Sequence, residues 1–171
     1  MNAAISELKT RARLGLNALR RGEFQLMERA HAVSGLRCAT PTAWQLRHAF
    51  LLVSRSVGFA NWEQARRVLG GLAAPGDDMG TFWHAPRCHG LLNHWFARHA
   101  EAQACLHDLP DAFLLPYRRQ FVVAGAPYLM ELGLAGDEPA WEASGGDLAA
   151  GYGTEAWQRL CLLRLAAAAL T

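Results

Sequence analysis

The stretch "LAAPGDDMG", residues 72–80, separates two parts of the sequence that differ in charge. Its proline, glycines and aspartates are typical of a connection between folded segments. Residues 1–75 carry eleven basic and four acidic side chains, whereas residues 76–171 carry six basic and eleven acidic ones. We therefore predict a basic helical module over residues 1–71, a linker over 72–80 and an acidic, mostly helical module over 81–171. Packing of both modules into one compact domain is the alternative.

Four helices are predicted on the N-terminal side of the linker, over residues 3–21, 23–34, 41–57 and 62–69. Apolar side chains recur in the first of them at the spacing of one helical face. Gly22 and Gly35 follow the first two helices and can end them. Thr40 and Asn61 are suitable N-caps for the third and fourth, and Pro41 suits a first helical turn.

The C-terminal side also contains helical patterns, of which the strongest predicts a helix from His89 or Gly90 to about His107. Further helices are predicted over residues 127–132, 137–144 and 154–170. The segment "AFLLPYRRQFVVAGAP", residues 112–127, predicts short strands or an extended packed segment, with Pro116 at an edge or a bend. The predicted fold class is mainly α: an N-terminal four-helix module and a C-terminal helical module, with room for one short β element.

Two segments resemble bacterial proteins. "ELKTRARLGLNAL…HAFLLVSRSVGFANWEQARRVL" resembles small helical modules that end in GF-x-x-W and a short helix, some of which accompany glyoxalase-like domains. "RCHGLLNHWFARHAEAQACL…FLLPYRRQFVV…YLMELGL" is similar to a family of small uncharacterised bacterial proteins, with R-C-x-G-x-x-N-x-W-F-A followed by L-L-P-Y-R-x-Q-F. Together the resemblances cover most of the chain. They imply a bacterial source and carry over no activity.

The segment "HAPRCHGLLNHWFARH", residues 84–99, is rich in histidine, which is a common metal ligand, so a metal site is one possible function of this segment. Two ligands on one helix must lie three or four residues apart to face the same ion. Candidates within the predicted helix are separated by five, five, six and two residues: His89, His94, His99, Cys105 and His107. His84 and Cys88 are four apart, but Pro86 lies between them. We predict no metal site and no cofactor, unless distant residues such as His31 or His48 complete one.

Cys88 is the best candidate for thiol chemistry. It precedes the predicted helix, whose N-terminal amides and dipole favour a thiolate, and Arg87 and His89 lie beside it. Cys88 and His89 are therefore the two candidate catalytic residues. The alternative interpretation is a buried packing residue, because cysteine is among the most buried residue types.

The segment "PYRRQF", residues 116–121, places arginines between apolar residues, where each needs an anionic partner. The partner could be a ligand, although an ion pair with Glu101, Asp108 or Asp111 of the same module is favoured. The junction of this segment with the histidine-rich segment gives seven candidate ligand-binding residues: His84, Arg87, Cys88, Asn93, Tyr117, Arg118 and Gln120.

The basic N-terminal module suggests phosphate binding as a further option, because a short multi-helix unit with clustered arginines is a plausible nucleic-acid-binding shape. The candidate residues are Arg11, Arg13, Arg20, Arg21, Arg66 and Arg67. The acidic module can neutralise this charge within the molecule or within a homodimer. Nucleic-acid binding is therefore not favoured.

These patterns together predict a small bacterial cytoplasmic protein with a binding or regulatory role, whose partner is a small anionic ligand or another protein. No G-x-S-x-G, P-loop, dinucleotide-binding or HExxH motif occurs, so the sequence favours a binding protein over an enzyme. An enzyme or thiol sensor at the Cys88 junction is the second option. No apolar run reaches the roughly 20 residues of a membrane span, and the N-terminus does not resemble an export signal. Four dispersed cysteines fit a reducing cytoplasm.

Overall fold

The computed structural model describes residues 2–168, in which eight α-helices and a three-stranded antiparallel sheet make the chain mainly helical. The helices are α1 Ala3–Arg20, α2 Phe24–Ser34, α3 Leu46–Ser56, α4 Trp62–Leu69, α5 His99–Asp108, α6 Ala126–Leu132, α7 Glu138–Ala143 and α8 Glu155–Ala168. The strands are β1 Asn93–Phe96, β2 Ala112–Tyr117 and β3 Gln120–Gly125. None of the helices in this range is long and apolar enough to cross a bilayer.

Several helix boundaries follow their local sequence signals. Gly35 ends α2 with a left-handed φ of 69°, as its position after the apolar pattern predicts. The Asn61 side chain accepts a hydrogen bond from the Gln64 N–H at 2.9 Å and caps α4. The Gln64 side chain in turn accepts from the Ala60 N–H at 2.7 Å. These signals lie within a few residues of the helix ends that they determine.

The third predicted helix starts later than expected, and this boundary was wrong. Residues 41–43 form only one 3₁₀ turn, and α3 begins at Leu46. Between them Trp44 is extended and buried in a core cluster with residues of α1, α2 and α3. The Arg20 side chain donates to the Trp44 carbonyl at 3.1 Å. Because burial of the indole takes the backbone out of helical geometry, the Thr40–Pro41 signal starts a turn but no helix.

The sheet has the strand order β1–β3–β2 and is larger than the single short β element considered from the sequence. Strands β2 and β3 form a hairpin, in which Leu115 pairs with Val122. Those two side chains belong to the main core, whereas Leu114 and Val123 face a smaller cluster with α5. Pro116 lies on an edge strand, as predicted. The outer side of β2 carries a parallel bridge between Leu114 and Asp147.

The helix predicted from His89 or Gly90 to His107 was wrong over its first half. Residues 86–90 form a 3₁₀ turn, residues 93–96 form β1, and only α5 is helical. The reason is pairing with β3, in which Trp95 lies opposite Val122 and Phe96 opposite Phe121. Neighbouring strand residues face opposite sides of a sheet, so Trp95 and Phe96 do not share one face as a helical stripe would require.

The main core contains residues from both sides of the 72–80 segment. It combines Leu8 of α1 and Val68 of α4 with Trp83, Leu132 and Trp157. Helix α1 also contacts α8 through polar groups: the Asn2 side chain donates to the Gln158 side chain at 2.7 Å. The two sides thus share one core, and the division of the chain into two modules stays a prediction.

Candidate functional site

His84 lies in a group of aromatic rings beside the sheet. Its ring centroid is 4.9 Å from that of His89, 5.3 Å from Tyr117 and 5.7 Å from Trp95. Trp95 of β1 and Tyr117 of β2 also contact each other, with centroids 5.0 Å apart. Pairing of β3 between the two edge strands brings these rings together. His84 and His89 of the histidine-rich segment and Tyr117 of the hairpin segment, all candidate residues from the sequence, are therefore grouped around the His84 ring.

Hydrogen bonds with Tyr128 fix the orientation of the His84 ring. His84 Nδ1 lies 2.6 Å from Tyr128 Oη, and that hydroxyl donates to the Trp83 carbonyl at 3.2 Å. A hydroxyl has one proton, so both contacts are hydrogen bonds only if Nδ1 carries a hydrogen and donates to Oη. Burial, followed by the charges of His89 and Arg164, lowers the pKa of His84. The lowered pKa favours the neutral ring, and when both hydrogen bonds are formed its lone pair lies on Nε2.

Cys88 does not lie at the start of a long helix, which corrects the sequence interpretation. It is fully buried within the 86–90 turn, and α5 begins only at His99. Burial raises the pKa of the Cys88 thiol, although a backbone hydrogen bond at Ala85 and the Arg164 charge oppose that rise. The helix N-terminus that was expected to stabilise a thiolate is therefore not present at this position. These observations favour the alternative interpretation of Cys88 as a packing residue.

Alkylation of the folded protein tests this interpretation. We expect iodoacetamide at neutral pH to modify the half-buried Cys38 at least about tenfold faster than Cys88, because alkylation needs an accessible thiolate. Cys161, which is also buried and has a raised pKa, serves as the matched control and should react as slowly as Cys88. Peptide-level mass spectrometry measures each rate. Equal rates for Cys88 and Cys38 would show that Cys88 is reactive after all.

A cavity of about 400 Å³ opens beside His84. Its charged wall consists of three guanidinium groups and one carboxylate, from Arg55, Arg87, Arg164 and Glu131. Arg87 lies 3.7 Å from Glu131 and pairs with it, whereas the Arg55 guanidinium donates to backbone carbonyls. The cavity is therefore positively charged overall.

Among the charged side chains of this cavity wall, Arg164 has the least compensation for its burial from hydrogen bonds or an ion pair. The side chain is half-buried, its Nε donates to the Phe82 carbonyl at 3.0 Å, and it forms no ion pair within residues 2–168. Burial lowers the pKa of Arg164, because removing a cation from water without a counter-charge disfavours the charged form. Sequence reasoning missed this residue. The available signal was a single arginine inside the apolar run "LCLLRLAAA" of the last helix.

The remaining predicted ligand-binding residues do not join this site. The Asn93 side chain donates to the Leu91 carbonyl at 2.9 Å. Arg118 and Gln120 lie at the β2–β3 hairpin and line a different cavity. The favoured ion pair of the hairpin arginines with an acidic residue of the same module is not found within the described range. Glu101 pairs with Arg98, and neither Asp108 nor Asp111 forms an ion pair there. The residues that were predicted to form one binding site therefore lie at separate places in the fold, beside His84 and at the β2–β3 hairpin.

The described residues contain no group of three or more His, Cys, Asp or Glu side chains that could hold a metal ion. The spacing argument against a metal assumed a continuous helix from His89 to His107, which does not exist. The expectation of no metal site therefore loses its original reason and stays a prediction.

Most of the arginines considered for nucleic-acid binding have partners within the protein. Ion pairs with neighbouring carboxylates hold four of them: Arg11, Arg21, Arg66 and Arg67. Arg20 is occupied by the Trp44 carbonyl. Arg13 is exposed and has no side-chain partner among residues 2–168. Little of this charge is free to meet phosphates, so nucleic-acid binding remains a less favoured prediction.

No protein family, curated protein or solved structure was found to match the chain. The resemblances noted from the sequence therefore stay predictions.

Proposed function

We propose that the protein binds a small anionic ligand in the cavity beside His84, as a binding or regulatory protein of a bacterial cytoplasm. The single observation that carries the proposal is Arg164, a half-buried guanidinium with no carboxylate partner within the described residues. Guanidinium groups in such positions bind carboxylate and phosphate oxygens through charge-assisted hydrogen bonds. Arg87 adds a second cation at the rim, although Glu131 partly offsets its charge.

His84 narrows the class of ligand. It lines the same cavity, and its neutral ring with a hydrogen on Nδ1 leaves Nε2 as a hydrogen-bond acceptor. A hydrogen-bond acceptor beside cations suits an anion that also bears a hydroxyl group, such as a hydroxy acid. The volume of about 400 Å³ lies within the range of small-molecule sites.

Buried Cys88 gives the thiol-sensor alternative no support, so we do not propose it. Two further ionisable groups lie near His84, and both are already engaged. The Glu131 carboxylate of the cavity wall pairs with Arg87, and Tyr128 is fixed by its bond to Trp83 while burial raises its pKa. Binding without chemistry is the role that these residues support best.

Calorimetric titration with malate and succinate tests the proposal, because the two dicarboxylates differ by one hydroxyl group. We expect malate to bind about fivefold more tightly than succinate, the effect of one additional hydrogen bond. Arg164→Gln should weaken malate binding by about tenfold or more, since it removes a charge-assisted bond. The matched control Arg13→Gln, at an exposed position without a side-chain partner in the described part of the chain, should leave affinity unchanged.

Far-UV circular dichroism and the thermal midpoint establish that each variant is folded. Absence of malate binding at millimolar concentration would contradict the proposal. Equal affinities of Arg164→Gln and Arg13→Gln for malate would contradict it too, because malate would then not contact the Arg164 guanidinium.

A further inference from the structure

A second cavity, of about 500 Å³, lies at the β2–β3 hairpin. Residues 73–79, the hairpin and residues 149–152 form its walls, and it shares no lining residue with the cavity beside His84. Its apolar wall includes Met79, Pro116, Phe121 and Tyr152. Its polar wall includes His99, Arg118, Arg119 and Gln120. The cavity thus combines an apolar surface with a cationic rim.

A buried carboxylate holds His99 in place. Asp147 Oδ2 accepts from His99 Nε2 at 2.8 Å and from the Gln103 side chain at 3.0 Å. Its other oxygen accepts from the backbone N–H groups of Ala149 and Ala150 at 3.0 and 2.9 Å. The His99 ring also packs against Phe121, with centroids 5.1 Å apart. The imidazole is therefore fixed, while its Nδ1 has no partner among the described residues.

Arg118 has a strained backbone conformation at the same cavity. Its φ of 50° lies in the left-handed region, which costs a residue with a side chain about 1–2 kcal/mol. Its N–H donates to the Gly80 carbonyl at 2.7 Å, and its carbonyl accepts from the Met79 N–H at 2.8 Å. These two bonds hold the conformation. Glycine would occupy this hairpin position without strain. The presence of arginine here therefore indicates that its side chain has a function.

The hairpin arginines have no acidic partner among the residues that the structure describes. Arg118 packs over the Tyr117 ring at 5.6 Å, and neither Arg118 nor Arg119 forms an ion pair within residues 2–168. Asp77, the one carboxylate lining this cavity, is already engaged by Arg67 at 3.4 Å and by the Ala74 N–H at 2.9 Å. The cationic rim is therefore available to an anion from outside the protein.

We infer that this cavity is a second binding site, for a small amphipathic anion that has an apolar body and one carboxylate, sulfonate or phosphate group. The apolar body packs against Pro116 and Phe121, and the anionic group meets the guanidinium groups of the hairpin. His99 supplies a fixed hydrogen-bonding edge beside the apolar surface. The inference is independent of the function proposed for the His84 cavity.

The fluorescent sulfonate 1-anilinonaphthalene-8-sulfonate is a suitable probe, because it joins an aromatic body to one anionic group. We expect it to bind the folded protein at one site per chain with a rise in fluorescence. Arg118→Gly combined with Arg119→Gln should weaken this binding by about tenfold, the effect of losing charge-assisted contacts. Arg118→Gly also relieves the left-handed strain, so weaker binding cannot be ascribed to loss of the fold. Arg13→Gln is the control and should not change affinity.

Arg164→Gln separates the two cavities. It should leave binding of the sulfonate unchanged, and the hairpin double variant should leave malate binding unchanged. The inference is wrong if the sulfonate does not bind, or if the double variant binds it as tightly as the unaltered protein. Weaker sulfonate binding in Arg164→Gln alone would also overturn it, because the probe would then occupy the His84 cavity.

Discussion

Replacement of Trp83 by alanine is expected to lower the free energy of unfolding by about 3–5 kcal/mol, the range for deletion of a buried large aromatic side chain. Trp83 is fully buried in the main core, with its ring centroid 4.7 Å from Phe82 and 5.1 Å from Trp157. Its indole N–H has no hydrogen-bond partner among the described residues, so the loss arises from packing. Urea denaturation followed by circular dichroism measures the change.

Trp95→Ala is the matched control, because it removes the same side chain from a position that is 41% exposed. Trp95 contacts His84 and Tyr117 at the surface, and its loss should lower the free energy of unfolding by about 1 kcal/mol. Equal losses in the two variants would contradict the assignment of Trp83 to the centre of the core.

Gly80→Ala should lower the free energy of unfolding by about 3 kcal/mol, the sum of a left-handed backbone cost and a steric cost. Gly80 has a φ of +70°, and a Cβ there would lie 2.7 Å from the Gly58 carbonyl oxygen and 2.7 Å from a carbon of the Phe59 ring. Phe59 is buried, so its ring has little room to move. Chemical denaturation measures this change as well.

Gly35→Ala supplies the matched control for the backbone cost alone. Its φ of +69° is nearly the same, but nothing lies within 4 Å of an added Cβ. We expect a loss of about 1 kcal/mol there. If both glycine variants lose the same free energy of unfolding, a Cβ at Gly80 has no steric cost. The close contact between Gly80 and the Gly58 carbonyl would then be incorrect.

Those parts of the fold that depend on nearby residues could be predicted from the sequence. Helix α1, the Gly35 helix end and the Asn61 cap all rest on signals within one or two helical turns. The strand at Asn93–Phe96 could not be predicted in this way, because its partner β3 lies in a distant part of the sequence. Local spacing alone made the same residues resemble a helical stripe. Trp44 likewise interrupts the third predicted helix, because its indole is buried in a core cluster with residues of α1 and α2.

The candidate site was predictable only in part for the same reason. His84, His89 and Tyr117 were candidate site residues from the sequence, and the structure places the rings of His89 and Tyr117 next to that of His84. Arg164 belongs to the last helix, and only packing of α8 places it beside His84. Asp147 lies between the helices predicted over 137–144 and 154–170 and was not among the candidate residues, although its carboxylate holds His99. Long-range contacts thus decide which polar residues share a site.

The bridge between Leu114 and Asp147 also affects how this chain behaves toward other chains. An unpaired strand edge can recruit a strand from a neighbouring molecule and start aggregation. On β2, the Leu114 N–H and carbonyl are bound to Gly146 and Leu148 at 2.8 and 2.9 Å, and Pro116 has no N–H to offer. Extension of the sheet by a foreign strand is therefore blocked on that side. Among the strands within residues 2–168, only β1 presents a free edge, and its four residues offer too few hydrogen bonds to hold an added strand firmly.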